Sequence, residues 1–480
     1  VANTRTRGGP GQAHTYLEKN KDRFIERLQR FIRQPSVSTE DLGIRESAAM
    51  LAGFYREAGF MEVELVETGG YPAIWAYYDA GCPKTIVSYG FFDTRPAREA
   101  GWRYPPFGGV ITRIEPYGRV VVGRGAASPK GPHLCWLSAV EAMIAAGSLP
   151  VNVAFLVEGE EILGSPHYAQ LIERFRPRLA GATAAFSGGC GQDSSGDVSI
   201  MLGFRSLLYI DLVASGKAWG RGPQGMGLHS SNKNVVDSPV WRLVGALNEL
   251  ATPDGNTVKI SGFYDDLDGP PAEDMPLIAE LLARYGEDGI QKALGLGGMK
   301  ALARDLRGRE LLLAYLYAPS FNINGLRSGY VGPGSDVFTV PGEAIARLDL
   351  RLPPRMTCAS VVEKMRRHLD ATGYPDVEIR VLAAADWSRT PLESDLIQAV
   401  KATYESYGLK PAIWPFKGGG GPWSLYRTAL GLPLVNGAGL GTGARSGADE
   451  FLVIDGNDRV GGITESAKSH VDIVHAYVKM

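Results

Sequence analysis

Cysteine is scarce and scattered. The four thiols, Cys82, Cys135, Cys190 and Cys358, form no CxxC pair, which argues against a disulfide framework and a cysteine-built structural zinc site. Histidine is sparse too, at His14, His133, His167, His229, His368, His470 and His475. Neither charge sign is in excess, 50 Lys+Arg standing against 52 Asp+Glu, so nothing points to nucleic acid or an anionic membrane as partner. No apolar run reaches the ~18 residues of a membrane span. The opening residues 1–14 are polar and punctuated by Gly and Pro, unlike a signal peptide. A soluble, cytoplasmic protein is therefore expected. Internal repeats and low-complexity tracts are missing as well, and the glycines 418–421 lack the Gly-Lys-Ser/Thr ending of a phosphate-binding loop.

A chain of 480 residues is too long for one core and predicts two domains. Its most informative stretch begins with the apolar, β-branched run 151–157, which reads as a buried strand of an α/β sheet. The acids Glu158, Glu160 and Glu161 follow at once, at the strand end where open α/β sheets bind ligands. Taken alone, the string reads equally as a solvated acidic loop.

Helical spacing is predicted over 16–32, stopped by Pro35, and again over 44–58. Strands are expected at 62–67, 73–78 and 85–89, then an apolar helix at 132–146. This alternation argues for a doubly wound sheet with sites on its loops. The texture changes after Gly203-Phe204-Arg205-Ser206: 207–213 and 344–352 alternate as strands, a helix starts near Ser238-Pro239, and 265–316 is helical and charged, together reading as an inserted α+β domain. From Leu392 the α/β pattern returns, with a helix to about Tyr407, a strand near 432–436 and a closing helix from about Ile463.

Several ordered motifs resemble one family: Tyr89-Gly90-Phe91-Phe92-Asp93, Gly123-Arg124-Gly125 through Lys130-Gly131, Glu158-Gly159 through Gly164-Ser165, Gly203-Phe204-Arg205, Leu228-His229-Ser230, Gly262-Phe263-Tyr264-Asp265-Asp266 and Arg351-Leu352-Pro353. The chain is similar from about residue 16 onward to the M20 metallo-aminopeptidases, deacylases and dipeptidases, and more closely to their carnosinase-like dipeptidase branch. The resemblance implies an α/β fold of two domains: a zinc-peptidase-type catalytic domain over 16–206 and 388–480, and an inserted α+β lid and dimerisation domain over 207–387. Residues 1–15 are expected to lack regular structure.

The family's chemistry rests on two zinc ions, yet the ligand positions it implies fall here on Phe91, Ser128, Ile162, Gly188 and Arg445. None of these side chains is a His or carboxylate ligand for such a site. A carboxylate cluster without its cations would repel itself, and neutral replacements remove that cost. No metal or other cofactor is expected. The resemblance keeps Glu161 as general acid/base, with Ile162 desolvating it, and His229 as the lid residue that stabilises an oxyanion. Arg351 falls where the dipeptidase branch holds a substrate carboxylate, a task suited to a guanidinium. Arg445, Asn324, Gly420 and Gly421 complete the expected substrate contacts, Arg445 placing a fixed positive charge near a vacated cation site. Asp93, which orients the missing His in the family, is left without an assigned task, as are Ser128, Cys190 and Glu160.

Zinc lowers the pKa of bound water from 15.7 to about 7. Without it, a lone Glu suits a more activated carbon–nitrogen or similar bond in a small, carboxylate-bearing, amino-acid-derived substrate. Two alternatives stay open: a non-catalytic ligand-binding protein on the same body, and a metallohydrolase with ligands among Asp93, Glu158, Glu160, His133 or His167. A homodimer through the lid domain is implied by the resemblance.

Overall fold

A computed structural model describes residues 8–332, 334, 338–445 and 447–480. They divide into two compact units, one falling within 8–202, 389–414 and 425–480 and the other within 203–388 and 415–424.

The first unit is built on a six-stranded sheet in the order Glu62–Val66, Ala73–Tyr78, Asn152–Glu158, Thr85–Phe91, Ala184–Gly188, Leu434–Ala438. The last four strands run parallel, and Ala73–Tyr78 pairs antiparallel with both of its neighbours. Every residue of Asn152–Glu158 is buried, as a central strand covered on both faces requires. Its register pairs Glu158 with Phe91, so the ends of neighbouring parallel strands present the loops that follow them at one sheet edge. The helix Lys130–Ala145 is buried along nearly its whole length. It packs against two of these strands and against Pro10–Lys19, Lys21–Arg33 and Ile463–Tyr477, which explains a sequence apolar all round rather than on one stripe.

The second unit holds a four-stranded antiparallel sheet in the order Ser320–Arg327, Glu343–Arg351, Leu207–Ser215, Glu378–Ala385. Leu208, Ile210 and Leu212 alternate inward with Ala344, Ala346 and Leu348, and meet Leu243, Ala246, Val361 and Met365 of the helices Pro239–Leu250 and Cys358–Ala371. The period of two read from the sequence is this one-sided burial.

Three expectations need correction. The single helix expected over 16–32 is two helices parted at Asn20, whose backbone leaves helical geometry. The stretch through residue 15, expected to lack structure, is helical from Pro10, because Pro10 suits a first helical position and Ala13 and Leu17 are buried. Residues 415–424, expected in the catalytic domain, belong to the second unit: the Lys417 amide donates to the Gly203 carbonyl at 2.8 Å and the Gly418 amide to Tyr315 Oη at 3.1 Å. Gly420 and Gly421 answer to close packing, since a Cβ on Gly420 would strike the Arg205 carbonyl and one on Gly421 the Trp423 ring.

Candidate active-site cleft

The loop after Asn152–Glu158 turns into a short 3-10 helix, Glu161–Leu163. Its first amides would be orphaned without a cap. Asp93 supplies the cap: the Glu161 amide donates to Oδ1 at 3.1 Å and the Ile162 amide to Oδ2 at 3.0 Å, while Ser38 Oγ donates to Oδ2 at 2.7 Å. Asp93 thus positions Glu161 through its backbone, a task the sequence left unassigned. Burial pushes the Asp93 carboxyl up to about 6 in spite of these donors.

That shift sets a pH dependence. A carboxyl raised from 3.8 to about 6 on folding binds more protons folded than unfolded between those values, so stability declines as pH rises through this window. Relative to Asp93→Asn, the wild type is expected to lose on the order of 3 kcal/mol between pH 4 and pH 7. Urea unfolding of both proteins across that range checks this; parallel curves would remove Asp93 as the titrating cap.

Glu161 and Ile162 line a cleft of about 130 Å³ together with Phe91, Arg95, Arg124, Ser128 and Glu450. One wall is a buried ionic network. Arg124 Nη1 donates to Glu450 Oε2 at 2.8 Å, and its Nη2 pairs with Glu99. Glu450 Oε1 accepts from the Ala127 and Ser128 amides at 3.0 and 2.9 Å. Glu450 therefore shapes the loop bearing Ser128, and sequence reasoning missed it. Its only signal was an acidic pair, Asp449-Glu450, close behind Arg445. Lys130 does not serve Ser128: its buried ammonium donates to the carbonyls of Phe31 and Gln34 at 2.9 and 2.5 Å, and burial lowers its pKa to about 7.

The other acids of the motif do not line the cleft. Glu158 is buried, accepts from Tyr89 Oη and Ser165 Oγ at 2.8 Å each, and is driven well above the usual carboxylate range by burial. Glu160 Oε2 lies 2.8 Å from His167 Nδ1. His133 is buried against Tyr55 Oη at 2.7 Å, and burial pulls its pKa down to about 4. Cys190 is buried with Sγ 3.6 Å from Ser466 Oγ. The neighbouring Cys135 thiol draws its pKa down, with the Arg445 charge a lesser influence in the same direction. Arg445 follows the short strand Gly443–Ala444, is exposed, and does not line the cleft.

The remaining predicted residues belong to the second unit. His229 is exposed, its Nδ1 2.8 Å from Ser231 Oγ, on a two-residue strand paired with Thr339–Val340. Arg351 pairs with Asp349 at 2.9 Å, and its carbonyl accepts from Arg205 at 2.7 Å. Asn324 sits at the irregularity between Ile323 and Gly325, and its Oδ1 accepts from Asn322 at 2.6 Å.

A pair of zinc ions requires His and carboxylate donors converging at about 2.0–2.2 Å. Among the described residues, no group of three or more His, Cys, Asp or Glu is placed to hold a metal. At Gly188 a Cβ would come within 2.7 Å of Trp136 Cβ and 2.9 Å of His470 Nε2, so packing leaves no room for a carboxylate there. With Phe91 and Ile162 as apolar walls of the cleft, the side chains present do not fit a dinuclear zinc centre.

A mainly parallel sheet carrying a capped acidic turn and a cleft at its strand ends, with an α+β segment inserted in its chain, is the scaffold of an α/β enzyme with its chemistry on loops. The model of peptidase family M20/M25/M40 matches residues 89–458, and the chain belongs to that family. It is 23% identical over 426 residues to the Cys-Gly metallodipeptidase DUG1 of Candida albicans, covering 82% of this chain and 83% of that one. The human Beta-Ala-His dipeptidase is 28% identical over 293 residues, 60% of this chain and 53% of its own. Among solved structures, the M20 family metallo-carboxypeptidase Sso-CP2 from Sulfolobus solfataricus superposes with a TM-score of 0.79 at 29% identity, covering 95% of this chain and 99% of its own. No helix among the described residues is long and apolar enough to cross a membrane.

Proposed function

We propose that this chain is an M20-fold enzyme that works without a resident metal, cleaving an activated carbon–nitrogen or similar bond in a small, carboxylate-bearing, amino-acid-derived substrate. The observation that carries the reading is Glu161, capped through its backbone by Asp93 and set on a cleft whose neighbouring walls are Phe91, Ser128 and Ile162. In this reading the Glu161 carboxylate takes a proton from the attacking water or from the substrate and returns it to the leaving nitrogen. Relatives named as dipeptidases support a small substrate with a carboxylate. By resemblance, His229 stabilises the developing oxyanion and Arg351 captures the carboxylate. Asn324, Gly420 and Gly421 keep the substrate contacts assigned to them, Arg445 does not because it lies off the cleft, and the chain pairs as a homodimer through its second unit.

Elemental analysis of purified protein tests the reading, together with turnover of dipeptides and N-acyl amino acids with and without chelator and the mass in solution by light scattering. The expected result is no stoichiometric metal, chelator-insensitive turnover and a dimeric mass. Two retained zinc ions with chelator-sensitive hydrolysis would establish an ordinary family metallohydrolase instead. Ligand binding without turnover of any substrate would establish a binding protein.

A further inference from the structure

We propose that the cleft is a binding site for a single carboxylate group and that Arg95 is its counter-ion, which rests on the carboxylate-bearing substrate of the reading above and gives that group to Arg95 in place of Arg351. The charged groups on the cleft wall differ in how far they are committed. Arg124, 3% exposed, is held by Glu450 and Glu99, and both carboxylate oxygens of Glu450 are taken, by Arg124 and by the amides of Ala127 and Ser128. Arg95 is exposed and, among the described residues, forms no hydrogen bond or ion pair. Its backbone is nevertheless fixed. Thr94 beside it is buried, with its amide donating to the Ser36 carbonyl at 2.7 Å, and Asp93 before it is the buried cap. A guanidinium on a fixed stem at a cleft mouth, with its donors unspent, is arranged to receive an external acceptor.

The surroundings select the acceptor. Phe91 and Ile162 bring apolar surface to the cleft, where a charge pair is stronger than one in open solvent. Ser128, whose amide is already bound by Glu450, brings a hydroxyl to the same cleft. Glu161 brings a negative charge, which disfavours a dianion such as phosphate and leaves a planar monoanion that the guanidinium grips through two donors. About 130 Å³ holds a carboxylate with a short stem rather than a long chain. The ligand class is a small monocarboxylate, an amino-acid derivative with its nitrogen blocked among them.

The test reads binding without turnover, so it stands or falls separately from the role given to Glu161. N-acetylglycine and inorganic phosphate are titrated by calorimetry into the full-length wild type, Arg95→Gln, Arg95→Lys and Glu161→Gln. N-acetylglycine is expected to bind the wild type, to bind Arg95→Gln at least about tenfold more weakly, and to bind Arg95→Lys at an intermediate level. Glu161→Gln is expected to bind it no less tightly than wild type, because a repelling charge is gone. Thermal unfolding is expected to be the same for Arg95→Gln and wild type, since the side chain is exposed. Equal affinity of wild type and Arg95→Gln overturns the proposal. So does the absence of N-acetylglycine binding to wild type, or a preference for phosphate.

Discussion

Glu161→Gln is expected to lower kcat by about 10²–10⁴-fold on any genuine substrate and to leave the fold intact. Gln keeps the shape and loses the basic oxygen. The Asp93 bonds are made by the backbone amides of residues 161 and 162, so the substitution does not disturb the cap. The side chain is only partly buried, so removing its charge does not open the core. Steady-state rates and thermal unfolding of the two proteins decide the matter. A variant as active as wild type would remove Glu161 from the chemistry.

Glu450→Ala is expected to be the most destabilising single change at this site, by roughly 3–5 kcal/mol. Glu450 is 2% exposed and Arg124 3%. Truncating the carboxylate leaves a buried guanidinium with Glu99 as its remaining partner, and it strands the Ala127 and Ser128 amides. Unpaired buried donors carry their full desolvation cost. Denaturant unfolding measures this loss. Glu450→Gln, which keeps one acceptor oxygen for the amides, is expected to lose less. Equal stability of Glu450→Ala and wild type would mean that the network is not a structural element.

The acids after the buried strand were legible because they are local, lying within a few positions of it, and the resemblance to the family over Glu158-Gly159 to Gly164-Ser165 singled out Glu161 as the expected base. The sheet strands and the closing helix were legible for the same reason, since periodicities of two and 3.6 are properties of short windows. The break at Asn20 was not legible, because the apolar spacing carries on either side of it and only the backbone changes direction. Asp93 carried no visible task in the sequence, since its partners are the amides of residues 161 and 162 and the hydroxyl of Ser38.

The sequence by itself determined the strands of the sheets, the inserted α+β segment, the acids at the strand end and the chemical character of Phe91, Ser128, Ile162, Gly188 and Arg445, because these depend on residue type and near neighbours. Only the tertiary structure decided that Glu450 braces the Ser128 loop, that Glu158 and Glu160 are bound elsewhere while Glu161 lines the cleft, and that residues 415–424 leave the domain their sequence position implied. It also decided that Arg95 stands uncommitted beside a committed Arg124. The reason is distance along the chain. Ser128 and Glu450 are separated by 322 positions, and buried polar groups take whatever partner folding brings to them, which no short window of sequence records.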